Sequence, residues 1–204
     1  MPRPAPPFTP RQVLLFSGHR VDGPGRAVPR LPPALLADAS VRIEQALDAA
    51  GAGPGDAALC QAASGGDLLF SQACHTRGVR VQWLLPLPES EFIEQSLLTS
   101  MAGAAWRERY FGLKSQLADA PRVMADELGP LPTVANAFER CNQWLLDTAL
   151  AQGSERLRFI CLWDGGGGDG PGGTRHMVEA VRRCGAPVDW IDTRTLVAYN
   201  SAAT

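Results

Sequence analysis

The sequence predicts an α/β fold, Rossmann-like and doubly wound: a mainly parallel sheet with helices on both faces. Three observations predict it. The strand candidates are apolar from end to end rather than alternating, the mark of strands covered on both sides. Segments with apolar residues at helical spacing separate them. Three of the strands run directly into glycine-bearing turns that open helices.

The elements follow in order. Gln12 to Ser17 reads as a buried strand that ends in Gly18-His19-Arg20 and a Gly/Pro-rich loop reaching Pro33. Leu35 to Ala50 places Leu35, Leu36, Ala39, Ile43 and Leu47 on one helical stripe, and Gly51 and Gly53 stop it. Asp56 to Ala62 is the second strand, followed by Ser64-Gly65-Gly66-Asp67 and a helix from Asp67 to Thr76. Val79 to Leu85 is the third strand, halted by Pro86 and Pro88. The middle is helical over 89–102, 105–118 and 136–152, and 119–134, with four breaking residues, reads as one long loop. Arg158 to Trp163 is the fourth strand, Thr174 to Cys184 a helix, and Val188 to Asp192 the last strand.

The chain has 204 residues, 45% hydrophobic and 20% charged, which suits one globular domain over 11–204 behind a Pro-rich, disordered leader over 1–10. A net charge of −2 gives no general attraction to nucleic acid or anionic membrane. Lys114 is the only lysine, so local positive charge comes from arginine, which grips phosphate in a two-pronged way; a high-GC genome produces the same bias. The cysteines Cys60, Cys74, Cys141, Cys161 and Cys184 are odd in number and lack any CxxC pair. They predict reduced thiols in a cytoplasmic protein, with neither a disulfide framework nor a zinc site. No stretch approaches the roughly 20 apolar residues of a membrane span.

In an open parallel sheet ligands bind beyond the carboxyl ends of the strands. Three such ends carry unusual sequence here: Gly18-His19-Arg20, Ser64-Gly65-Gly66-Asp67, and Trp163-Asp164 with the run Gly165 to Thr174. The last is the strongest. Its glycines free backbone amides to face an anion, and Gly170-Pro171-Gly172-Gly173-Thr174 opens a helix whose N-terminus carries unsatisfied N–H groups and partial positive charge. Thr174 caps that helix or gives its hydroxyl to a phosphate oxygen. Asp67 either caps its helix or accepts from ribose hydroxyls. Arg20 and Arg26 are phosphate partners or plain loop arginines, His19 is a ligand donor or a loop anchor, and Trp163 stacks on a base or fills the rim. Asn136, Glu139 and Arg140 share one helical face, open to solvent, ligand or a second subunit. No cofactor or metal is expected.

The order GHR, SGGD and WDGGGGDGPGGT, from about Val13 to Asp192, resembles the SLOG superfamily: Rossmann-like domains similar to DprA and the LOG enzymes, in particular the branch of bacterial signalling and conflict systems. The resemblance implies binding of a nucleotide-derived, ADP-ribose-like ligand at the two glycine loops, and self-association into a homo-oligomer. LOG enzymes carry PGGxGTxxE, whose glutamate assists cleavage of nucleoside monophosphates. Pro171-Gly172-Gly173 matches and Glu179 keeps the offset, but Arg175-His176 replaces the inner Gly-Thr pair. Two expectations follow: a sensor module that binds a nucleotide-type small molecule, and, as the alternative, a LOG-like phosphoribohydrolase with Glu179 as the catalytic group.

Overall fold

The computed structural model describes residues 8–167, 170 and 172–198. Its six strands are β1 (Val13–Gly18), β2 (Ala57–Cys60), β3 (Arg80–Leu85), β4 (Arg122–Val123), β5 (Leu157–Trp163) and β6 (Val188–Asp192). They form one sheet in the order β4-β3-β2-β1-β5-β6, and every pairing is parallel. The helices are α1 (Leu36–Ala49), α2 (Gly66–Thr76), α3 (Glu89–Ile93), α4 (Gly103–Lys114), α5 (Met124–Leu128), α6 (Ala137–Leu150) and α7 (Thr174–Arg183).

The pleat divides the core into two layers, because successive side chains of a strand face opposite sides. Leu14 and Phe16 of β1, with Cys60, Trp83 and Ile160, pack against Ile43 and Leu47 of α1, Phe70 of α2 and Tyr110 of α4. Val13 and Leu15, with Leu59, Phe159 and Cys161, pack against Met124 of α5, Cys141 and Leu145 of α6, and Met177 and Val181 of α7. Each large side chain so buried contributes about 1.5–3 kcal/mol. Phe16 and Phe70 stack with ring centroids 4.6 Å apart, which fixes α2 over the end of β1. The doubly wound α/β architecture is thus the one that the apolar strands predict.

Two parts differ from expectation. The stretch 119–134 is not one loop: Arg122–Val123 adds a sixth strand beside Leu84 and Leu85, and α5 follows at once, its Met124 buried. A two-residue strand carries no periodicity, and what holds it is tertiary. Arg122 lies over the Trp144 ring at 5.2 Å and ion-pairs with Glu127 at 2.7 Å. The helix expected over 89–102 is interrupted. After α3 the chain makes a π-helical turn, Glu94–Leu98, and Ala102 takes a left-handed φ of 56° before α4. The carbonyl of Gln95 accepts from Arg20 Nη1 at 2.5 Å and from Thr99 Oγ1 at 2.9 Å, donors that compete with the regular helical ladder.

Candidate functional site

Strand order reverses between β1 and β5, the place where doubly wound sheets open a crevice. A cleft of about 270 Å³ lies there. Its floor is Ser17, Gly18, His19 and Trp163 at the ends of β1 and β5. The start of α7 (Gly170, Gly172, Gly173, Thr174) forms one side, Phe138, Asn142 and Leu145 of α6 another, and Arg20, Arg30, Gln95 and Ser96 the far side. Asp67 and Gln61 complete it from the end of β2.

His19 continues the ladder of β1, its N–H donating to Leu162 O at 2.9 Å, which locks the turn to β5. The ring is buried, and burial followed by the charge of Arg30 lowers its pKa. The neutral ring therefore accepts the Asp164 N–H at Nε2, 3.1 Å away, while the Asp164 carboxylate stands 3.2 Å from the same atom. That carboxylate takes the Gly166 N–H at 2.8 Å. His19 is a loop anchor that ties the first turn to the third.

The second turn holds the site from behind. Gly65 has φ 81°, and a Cβ there would stand 2.8 Å from Val21 N and 3.1 Å from His19 O. Gly66 N donates to His19 O at 3.1 Å. These glycines let the second turn press against the first rather than face the cleft. Ser64 is also turned away, fully buried, with its hydroxyl 2.5 Å from that of Ser100. Asp67 lines the cleft, but the N-cap of α2 is Gly65, and the carboxylate instead reaches back to the Ala63 N–H at 3.2 Å. Burial raises its pKa to about 7, in spite of backbone donors that favour the anion.

The third turn supplies the anion-binding geometry. At Gly172 φ is 86°, and a Cβ would come within 2.6 Å of Glu139 N and 2.7 Å of Phe138 Cβ. Only glycine lets the loop approach α6 this closely. Asn142 fixes it there: its Nδ2 donates to Gly172 O at 2.7 Å, and its Oδ1 accepts from Gln61 Nε2 at 2.8 Å. Gly173, the N-cap of α7, has extended backbone and no side-chain cap. The first amides of a helix have no intrahelical acceptor, so those of α7 begin at the cleft with the positive end of the helix dipole. Thr174 is buried beside them, its Oγ1 3.4 Å from the Ser17 hydroxyl. Pro171 lies outside the described residues.

Gly18, His19, Arg20, Asp67, Trp163, Gly170, Gly172, Gly173 and Thr174 thus line one cleft. Asp164 is not among the cleft residues and is held by His19 and Gly166, while Ser64, Gly65 and Gly66 pack behind the first turn. Trp163 is turned inward, its Nε1 donating to Gly166 O at 3.0 Å and its ring paired with Trp190 at 5.8 Å. Glu179 stands on the exposed face of α7, ion-paired with Arg175 at 2.8 Å, and is not among the cleft residues. Arg140 pins the carbonyls of Leu128, Gly129 and Pro130, and Arg26 pairs with Asp22 at 3.3 Å. Sequence reasoning missed Arg30, Gln61, Ser96 and the site role of Asn142, because each reaches the cleft through tertiary packing and none lies in a glycine motif. Among the described residues no cluster of His, Cys, Asp or Glu suits a metal ion, and no helix is long and apolar enough to cross a membrane. No protein-family model matches the chain, and no curated protein matches it in sequence.

Proposed function

We propose that the protein is a binding module for a nucleotide-derived, phosphate-bearing ligand of the ADP-ribose-like kind, a sensor rather than an enzyme. The observation that carries this reading is the start of α7 at the switch-point cleft: Gly172, Gly173 and Thr174 line it together with Ser17, whose hydroxyl stands 3.4 Å from that of Thr174, and with the basic residues Arg20 and Arg30. Phe16, Phe138 and Leu145 give the same cleft an apolar wall for a base. Binding is favoured over hydrolysis because Glu179, the one carboxylate that the LOG resemblance supplies, is exposed and held by Arg175. Isothermal calorimetry against a panel of nucleosides and nucleotides tests the reading. It predicts saturable binding of phosphate-bearing members without their consumption, and a panel that gives no heat overturns it. Self-association belongs to the proposal as well, with Leu98, Met101 and Phe111 of the helical middle exposed to offer apolar contact. Sedimentation velocity showing only a 21.8 kDa species would remove that part.

A further inference from the structure

The amides of Asn142 and Gln61 form a relay whose polarity is fixed from one end. Gly172 O can only accept, so Asn142 turns its Nδ2 toward it, at 2.7 Å. Its Oδ1 then faces Gln61 and accepts from Nε2 at 2.8 Å. The other half of the Gln61 amide is Oε1, an oxygen that can only accept. Gln61 is half-buried and lines the cleft, and Oε1 has no hydrogen-bond partner among the described residues. An amide anchored by its nitrogen in this way offers its oxygen to the cleft.

A separate observation points to the same side. Ser96, carried into the cleft by the π-helical turn, is fully buried, and its Oγ has no hydrogen-bond partner among the described residues. Native structures rarely leave a buried hydroxyl orphaned unless a ligand or water completes it. The carbonyl of Ser96 accepts the Ser64 N–H at 3.2 Å, which ties the π-helical turn to the segment 61–64 that follows β2. Gln61 and Ser96 thus stand on the β2 side of the cleft, whereas the loop into α7 follows β5, and β1 runs between them. A ligand gripped at the start of α7 meets them with a group that extends across the end of β1.

We infer that Gln61 determines specificity in the cleft: its Oε1 accepts a hydrogen bond from an N–H or O–H of the ligand on the side away from the phosphate, and the Ser96 hydroxyl completes that contact. This deepens the nucleotide-binding reading and rests on it. In a nucleotide such a donor has two sources, the ribose hydroxyls and the base edge, and the experiment separates them. The tightest-binding of the adenosine, guanosine, cytidine and uridine monophosphates is compared by calorimetry with two analogues. One lacks both ribose hydroxyls, and the other has the donor on its base edge removed or methylated. A site built around a hydrogen bond discriminates against the analogue that cannot make it, so one of the two is expected to bind at least about tenfold more weakly, and which one names the source. Gln61→Leu is expected to erase that discrimination, while Gln61→Glu, which keeps an acceptor at the same reach, retains it. Thermal melting guards against misfolding, and either variant that folds suffices. A residue that only supported Asn142 would weaken all ligands alike, so a discrimination unchanged in Gln61→Leu or lost in Gln61→Glu overturns the inference. Equal affinity for the nucleotide and both analogues also overturns it but leaves the nucleotide-binding reading standing. Binding of no monophosphate removes both.

Discussion

The left-handed φ of Gly172 strains any side chain placed there, and its closeness to α6 leaves no room for one. Gly172→Ala is expected to cost about 1–3 kcal/mol by urea unfolding and to abolish nucleotide binding, because the loop must lift from Asn142 to make room. Glu179→Gln is the contrasting change. An exposed ion pair contributes little, so stability and nucleotide affinity are both expected to stay the same. A loss of affinity in calorimetry would return Glu179 to the site. Asp67 makes a pH prediction. Its folded pKa, raised to about 7 by burial, lies above the ordinary carboxylate value, so the native state binds more protons than the unfolded chain between about pH 4 and about pH 7. Its contribution is therefore fully present in acid and is lost as pH rises through that window, by up to about 4 kcal/mol. His19 acts in the opposite sense: with its pKa lowered by burial, it contributes stability that is lost as the pH falls through its range. Comparing urea unfolding of wild type and Asp67→Asn across the window separates the two. The wild type is expected to lose stability relative to the variant as pH rises, and parallel profiles would contradict the burial argument.

At the scale of elements, α6 carries more of the site than its sequence suggests. Asn136 caps it by accepting the Glu139 N–H at 3.0 Å, a start legible from residue type alone. Asn142, one and a half turns later, was readable only as a residue on a helix. Its value comes from sitting between the end of β2 and the α7 loop, two segments brought together by the crossover from β4 to β5. Asn142→Ala leaves Gly172 O and Gln61 without their buried partner, and is expected to cost about 1–3 kcal/mol and to weaken nucleotide binding at least about tenfold. Calorimetry and urea unfolding on the same preparation check both figures, and unchanged affinity would mean that the α7 loop needs no tether. The same contrast explains the legibility of other elements. β1, β3 and β5 announced themselves as apolar runs, and α1 by its stripe of Ala39, Ile43 and Leu47. β4 and α5 did not, because two strand residues and five helical ones have no period to read, and the strand partner Leu84 and the Trp144 ring under Arg122 lie far away in sequence. The glycine turns were legible as places of close approach. Which surface each approaches was not, and Gly65 and Gly66 turn out to pack against the first turn instead of facing the cleft.

For the whole molecule, the doubly wound sheet explains why residues 18, 67, 142 and 174 share one cleft: parallel strands end together, and the order reverses between β1 and β5. A ligand seated there bridges both helical layers, so it binds only the folded state and raises its stability. At about 100 times its dissociation constant, the gain is about 2.7 kcal/mol, or about 5–10 °C in melting temperature for a domain of this size. The central claim is that backbone amides at the start of α7 grip a phosphate. An amide-resolved NMR titration of the nitrogen-15-labelled protein, comparing a nucleotide with its unphosphorylated nucleoside, tests it most directly. The Gly172, Gly173 and Thr174 amides are expected to shift with the nucleotide and far less with the nucleoside. Equal shifts with both ligands, or shifts confined to residues away from α7 and the end of β1, would contradict it.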